Sequence, residues 1–216
     1  MAAYDLDEQE KLGDLKAWWS SYGNYVTAAI TVIALAVAAN QGWKYYNGKQ
    51  AAEASTLYFA LSDAVGKNET AKAKDAIAQL IEKFPRTGYA PRGALLAAKL
   101  AFDAGDLPTA KTQLDWVVGN SKETELTSIA RLRLAAVLLD QKQYDAAIAA
   151  LDAKHSDAFA GLFLDMKGDI FHIQGKAADA KTAYEAALVK LDPKGSQKQY
   201  TQVKLDAVGA AAGAAK

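Results

Sequence analysis

The segment "LFLDMKGDIFHIQGKAADAKTAYEAAL", residues 162–188, decides the fold of this chain. Its first half carries apolar residues at helical spacing, Gly175 interrupts the pattern, and a second helical pattern follows. Ala180 and Tyr184 are four residues apart, so they share one face of the second helix. The small Ala180 lets that helix close against the first, where Gly168 is also small. The segment therefore predicts two helices that pack closely against each other.

Related segments recur along the chain as "DAIAQL", "TAKTQL", "AAIAAL" and "DAKTAY". Their alanines are 34, 37 and 33 residues apart: Ala76, Ala110, Ala147 and Ala180. A period near 34 built of paired helices is typical of tetratricopeptide repeats, in which each unit stacks on its neighbours. Five residues before the later three alanines come the predicted turn residues Gly105, Lys142 and Gly175. The pattern predicts an all-α protein with a helical-repeat solenoid.

The repeat pattern sets the expected boundaries of helices and domains. We expect single helices at 44–66 and 70–84, helix pairs at 88–118, 124–153 and 158–191, and a last helix near 196–208 that caps the stack. The 37-residue interval predicts an inserted polar loop at "GNSKETEL". The expected domains are an acidic leader at 1–21, a transmembrane helix at 22–43, a repeat domain at 44–208 and a frayed or disordered Ala/Gly-rich tail at 209–216.

The amino-acid composition gives no evidence for a strongly charged partner such as nucleic acid. The chain has 216 residues, and its 25 Lys and Arg balance 25 Asp and Glu. Basic residues alternate with acidic ones, so the sequence lacks the basic stripe of a nucleic-acid-binding protein. Cysteine is absent, which excludes disulfides and thiolate metal sites.

An uncharged stretch from Ala17 to Trp43 precedes the repeats. The 21 helical steps from Tyr22 to Trp43 span about 32 Å, close to the thickness of a bilayer's hydrocarbon core. Aromatic rings at both ends match the belts found at membrane interfaces. The predicted interface anchors are Trp18, Trp19, Tyr22, Trp43 and Tyr45. The stretch predicts a membrane-spanning helix.

Two alternatives to a retained span stay open. Ala36 and Ala38 form an A-x-A pattern typical of signal-peptide cleavage, although the preceding region is too long and too acidic for a signal peptide. A buried helix of a soluble domain would normally have a polar face, and this stretch offers little of one. The lysines on the two sides are balanced, so they do not orient the span.

Catalytic and metal-binding signatures are missing from the sequence. Asp165, Asp169 and His172 could line one helix face, which would permit acid/base or metal chemistry. Such a stripe on a single helix is more often solvated or turned toward a partner. We find no phosphate-binding loop, no zinc-protease motif and no nucleophile elbow. We therefore expect no enzyme activity, no cofactor, no metal and no small-molecule substrate.

In a helix-pair solenoid, the first helix of each pair lines the concave face, where partners usually bind. The register of the turns assigns ten residues to this face: Arg92, Leu95, Lys99, Phe102, Leu132, Ala136, Leu139, Asp165, Asp169 and His172. The sequence thus predicts a partly apolar groove of mixed charge.

Three segments together resemble one bacterial family: the leader with "LKAWW", the span ending in "GWKYYN", and residues 162–188. The family is that of the ancillary subunits of the SecYEG translocon, and the resemblance reaches from the leader to about Leu191. The positions that carry it best are Leu164, Asp165, Gly168, Asp169, Gly175, Ala180, Ala183, Tyr184 and Ala187, supported by "ARLRLAAVLL".

The resemblance implies a single-span protein of the inner membrane, with a cytoplasmic N-terminus and a periplasmic repeat domain. It also implies a non-enzymatic scaffold that binds the SecYEG translocon and periplasmic chaperones during protein export. The alternative is a repeat protein released into the periplasm, where it would coordinate envelope or cell-division machinery.

Overall fold

A computed structural model describes the backbone of residues 2–214 and the side chains of Glu8 and residues 10–210. This part of the chain contains α-helices, one short 3₁₀ turn and no β-strand, which confirms the all-α prediction. The helices are α1 (Ala2–Gly66), α2 (Thr70–Lys83), α3 (Tyr89–Asp103), α4 (Leu107–Asn120), α5 (Thr124–Asp140), α6 (Tyr144–Asp152), α7 (Ala160–Ile173), α8 (Ala177–Lys190) and α9 (Ser196–Ala214).

The chain divides into two compact units. The first unit ends at Gln50, and its described part belongs to α1. The second unit begins at Ala51 and contains the end of α1 and all the later helices. Its main apolar core runs from Ala54 on α1 to Ile170 on α7, and a smaller cluster joins α8 to α9.

The helices of the second unit pack in sequential pairs, as a repeat array requires. The small residues that the sequence places on the second helices are all buried, and so are the large residues four positions later. On the first helices Ala98 and Ala135 are buried as well, and Gly168 lies against the ring of Tyr184. Close helix packing through small residues is therefore observed where the sequence predicts it.

The register of the first repeat, which includes α2, differs from the prediction by three residues. Asn68, with φ of 56°, precedes α2 by two residues, as Gly105, Lys142 and Gly175 precede α4, α6 and α8. By this register Ala73, 1% exposed, corresponds to Ala110, and Ile77 follows it on the same face. The residues predicted for these positions, Ala76 and Leu80, are also buried on α2, so their spacing alone could not separate the two registers. The corrected intervals are 37, 37 and 33 residues.

Two expected irregular segments are largely helical. Only residues 121–123 of the predicted polar loop lie outside helices, because α4 continues to Asn120 and α5 begins at Thr124. Helix α9 continues past 208 to Ala214, which includes part of the tail. Alanine has the highest helix propensity, which accounts for the extension. The last two residues lie outside the described part of the chain.

Candidate functional site

A groove opens between α3 and α5 over the side chain of Leu114 on α4. It encloses about 260 Å³. Its lining is mostly apolar, with three charged side chains at its walls: Ala98, Lys99, Phe102, Asp103, Leu114, Arg133, Ala136 and Val137. An apolar concavity with a few fixed polar groups is the usual form of a binding site.

Three of the ten predicted groove residues meet here, namely Lys99, Phe102 and Ala136. Phe102 is 39% exposed, so part of its ring is accessible. The ammonium of Lys99 forms an ion pair with Asp103 one helical turn later. The positive charge of Lys99 is therefore already balanced within α3.

Sequence reasoning missed Arg133, which is exposed at the α5 wall of the groove. Its Nη1 donates a hydrogen bond to the carbonyl oxygen of Leu95, 3.1 Å away on α3. We find no ion pair between Arg133 and a carboxylate among the described residues. Arg133 comes three residues before Ala136, so the same helical spacing that selected Ala136 could have identified it.

Four predicted groove residues lie nearer the core or are held locally. Leu95 is only 7% exposed, which corrects its assignment to an open surface: α2, α4 and α5 all pack against α3. Leu132 and Leu139 are half-buried against the core. Arg92 is exposed, but its two terminal nitrogens each lie 2.8 Å from a carboxylate oxygen of Glu123. This hydrogen bonding raises the pKa of Arg92 and lowers the pKa of Glu123.

The last three predicted groove residues, on α7, face a different neighbour. Asp165 is 5% exposed, and α9 supplies its partners: Thr201 Oγ1 at 2.8 Å, Gln197 Nε2 at 3.0 Å and Lys204 Nζ at 2.9 Å. Asp169 accepts from Lys204 at 2.8 Å and from the hydroxyl of Tyr184 at 2.8 Å. The prediction that Asp165 faces a partner is thereby corrected, because the buried carboxylate holds α9. Only His172 is exposed.

The Asp165–Asp169–Lys204 cluster perturbs the titration of two groups. Burial by itself lowers the pKa of Lys204, but hydrogen bonds and charge from Asp169 and Asp165 outweigh it and raise the pKa overall. Burial is the main cause that raises the pKa of Tyr184, and its hydrogen bond to Asp169 adds to the effect. Lys204 also lies 5.8 Å from the centre of the Tyr184 ring. The cluster keeps Lys204 charged and Tyr184 neutral, which suits a structural role.

The described residues hold no group of three or more His, Cys, Asp or Glu that could bind a metal ion. Lys204 pairs with both carboxylates of the cluster, and His172 has no recorded bond to either.

Helix α1 forms the described part of the first unit. Among the described residues it is the one helix that is long and apolar enough to cross a membrane. Only 6% of the most apolar 18-residue stretch of this helix is buried, whereas a core helix of a soluble domain would be mostly buried. The hydroxyls of Thr27 and Thr31 donate to the carbonyl oxygens of Gly23 and Thr27, at 2.9 and 2.8 Å. These bonds satisfy the polar atoms within the helix, as an apolar solvent requires.

All five predicted interface anchors are exposed on α1. Trp18 lies against Trp19 and Tyr22, with ring centres 6.3 and 5.9 Å apart. The ring centre of Trp43 lies 6.5 Å from that of Tyr46. The aromatic rings thus form one cluster at each end of the apolar segment.

A family of tetratricopeptide repeat-like domains matches residues 16–210. Among solved structures, MamA residues 41 to the end from Desulfovibrio magneticus RS-1 superimposes with a TM-score of 0.53 at 19% identity. This match covers 74% of this chain and 89% of that chain. A MamA double mutant gives a TM-score of 0.52 at 18% identity, covering 74% and 88%. These matches show a shared fold.

Curated relatives match over nearly their whole length. The ancillary SecYEG translocon subunit of Neisseria gonorrhoeae is 32% identical over 96% of this chain and 100% of its own. The subunit of the same name from Haemophilus influenzae is 32% identical over 94% and 97%, and that from Escherichia coli is 29% identical over 93% and 96%. With its repeat fold, apolar helix and full-length similarity, the chain belongs to the family of ancillary SecYEG translocon subunits with a tetratricopeptide repeat-like domain.

Proposed function

We propose that this protein is a non-enzymatic scaffold anchored in the bacterial inner membrane beside the SecYEG translocon. In this proposal residues 22–43 span the membrane, residues 1–21 are cytoplasmic, and the repeat domain at 44–208 lies in the periplasm with the tail at 209–216. The repeat domain binds protein partners, including the translocon and periplasmic chaperones. The observation that carries the proposal is an accessible apolar groove within a chain whose full-length relatives are named for the translocon.

Anchoring gives a physical reason for the two-part design. A domain held on the membrane has a high effective concentration near a channel in the same membrane, so individually weak contacts suffice for association. The groove, mostly apolar with a few charged walls, has the general form of a binding site for such a contact.

The test of the partner is site-specific photo-cross-linking in native membranes. A photoreactive amino acid replaces Phe102 or Ala136 inside the groove, and Val189, which is 81% exposed on α8, serves as the surface control. We expect translocon or chaperone subunits to be captured from the groove positions and not from position 189. If the groove positions of a correctly inserted protein capture neither translocon nor chaperone subunits, the partner assignment is contradicted.

The orientation can be tested with single cysteines, because the chain has none of its own. A membrane-impermeant maleimide applied to cells with a permeabilised outer membrane should label Val189→Cys and leave Glu8→Cys unlabelled. Labelling of position 8 alone would reverse the proposed orientation.

A cleaved signal peptide is the remaining alternative for the apolar segment, since Ala36 and Ala38 form an A-x-A pattern. Intact mass and N-terminal sequencing of the protein recovered from membranes decide between the two. A soluble form that begins near Asn40 would favour the released periplasmic protein that coordinates envelope or cell-division machinery.

A further inference from the structure

The charges around the α3–α5 groove are not balanced. Lys99 and Asp103 neutralise each other across one turn of α3. Arg133, on the opposite wall, forms no recorded ion pair in the described part of the chain. The groove therefore carries one excess positive charge, located at the guanidinium of Arg133.

The Arg133 guanidinium is held in place but keeps donors to spare. Its hydrogen bond from Nη1 to the Leu95 carbonyl ties the side chain across the groove to α3. A guanidinium has five N–H donors, and its planar fork matches the two oxygens of a carboxylate. A restrained arginine loses less side-chain freedom on binding, which favours a specific contact.

Next to this cation the groove is apolar. Ala136 has a short side chain that leaves the space open, and the buried side chains of Ala98, Leu114 and Val137 close its floor. The partly exposed ring of Phe102 stands at the edge. An apolar side chain of a ligand would be buried here within reach of Arg133.

We propose that the groove binds a peptide segment of a protein partner in which a Glu or Asp side chain lies next to a bulky apolar side chain. The carboxylate pairs with Arg133, and the apolar side chain packs against Phe102 and Ala136. Charge complementarity selects the carboxylate, and the apolar lining selects its neighbour. The inference rests on the proposed function in that it assigns the partner site to this groove.

The experiment measures peptide binding to the full chain in nanodiscs of uncharged phosphatidylcholine, by fluorescence anisotropy. The probe is a labelled eight-residue peptide with a Glu-Glu-Leu-Phe centre. One control peptide has lysines in place of both glutamates, and another has alanines in place of leucine and phenylalanine. We expect the acidic-apolar probe to bind more tightly than both controls, with an affinity that falls as salt is raised.

Variants separate the two parts of the site. R133E should weaken binding of the acidic-apolar probe about tenfold to a hundredfold, the effect expected on losing a charge-assisted hydrogen bond and gaining a repulsion. F102A should weaken binding of the same probe while leaving its salt dependence intact. R86E, which makes the same charge change at an exposed loop residue outside the groove, should leave binding unchanged.

Charge reversal provides a readout that damage to the fold could not produce. R133E should gain affinity for the lysine-containing peptide while it loses affinity for the acidic one. Equal binding of both peptides by the unaltered protein, unchanged binding by R133E, or no binding of the acidic-apolar probe would overturn the inference. If the peptide experiment fails but the groove positions still cross-link to the translocon, only the proposed ligand chemistry is rejected. If the peptide binds as expected but no cross-links form, only the proposed translocon and chaperone partners are rejected.

Discussion

Gly168 on α7 lies so close to the ring of Tyr184 on α8 that a Cβ atom at residue 168 would stand 2.5 Å from Cδ1 of that ring. The two residues are 16 apart in sequence. Ala98 with Leu114 and Ala135 with Leu151 have the same spacing, and all four are buried. The first helix thus has glycine where the residue 16 positions later is the large Tyr184, and alanine where that residue is a leucine.

The substitution Gly168→Ala should destabilise the second unit by about 1–3 kcal/mol, because the added methyl group must displace the ring of Tyr184. In a Tyr184→Leu background the same change should be neutral or stabilising, since it recreates the alanine–leucine pair and alanine favours the helix. Urea unfolding of the four proteins of this double-mutant cycle measures the coupling. Gly119→Ala is the control: no atom lies within 4 Å of its added Cβ, so it should not destabilise. Additive effects at 168 and 184 would contradict the steric explanation.

Lys142 adopts a left-handed backbone, with φ of 59°, at the position where two other repeats have Gly105 and Gly175. Glycine enters this conformation without the steric cost that a Cβ atom imposes. Lys142→Gly should therefore stabilise the unit by about 0.5–1 kcal/mol, and Gly175→Ala should destabilise it by a similar amount. The midpoints of chemical unfolding provide the comparison. A destabilised Lys142→Gly protein would show that the lysine side chain contributes more than its backbone costs.

Lys204 joins α9 to α7 through two carboxylates, one of which is buried. Lys204→Met should leave Asp165 without its cation and weaken the docking of α9 by about 1–3 kcal/mol. Hydrogen exchange should then increase across residues 196–210 more than in α3 or α5. Lys181→Met, which removes a more exposed ion pair on α8, is the matched control and should leave exchange in α9 unchanged. Uniform exchange throughout the unit would indicate global rather than local loss of stability.

The raised pKa values of Tyr184 and Lys204 predict that α9 docking weakens at alkaline pH. A pKa that is higher in the folded state means that folding favours the protonated form. That stabilisation is complete below the unfolded pKa, and it is lost as pH rises above about 10. Asp165 and Asp169 are the charged groups that face both residues. Hydrogen exchange in α9, corrected for its intrinsic pH dependence, should increase as pH is raised above about 10. The Tyr184→Phe substitution should reduce this increase.

Much of the fold follows from local spacing. The alternation of small and large residues on successive helices identifies the pairs, and the uncharged stretch between two aromatic clusters identifies the apolar helix. These signals depend on residues within one or two helical turns, so they can be read without knowing what packs against them. The register of the first repeat was the exception, because Ala73 and Ala76 both lie on the buried side of α2. Only the backbone conformation at Asn68 distinguishes the two registers.

The candidate site depends on which helix covers which face. Leu95 and Phe102 are two turns apart on α3, yet neighbouring helices bury Leu95 and leave Phe102 at an open edge. Asp165 has the sequence position of a groove residue, but α9 returns to bind it from 39 residues away through Lys204. Helical spacing places Arg133 on the same side of α5 as Ala136, but only the folded chain shows its hydrogen bond to the Leu95 carbonyl on α3. Helix formation and pairing are encoded by short-range periodicity, whereas burial and charge balance are properties of contacts between distant segments, which only the folded chain brings together.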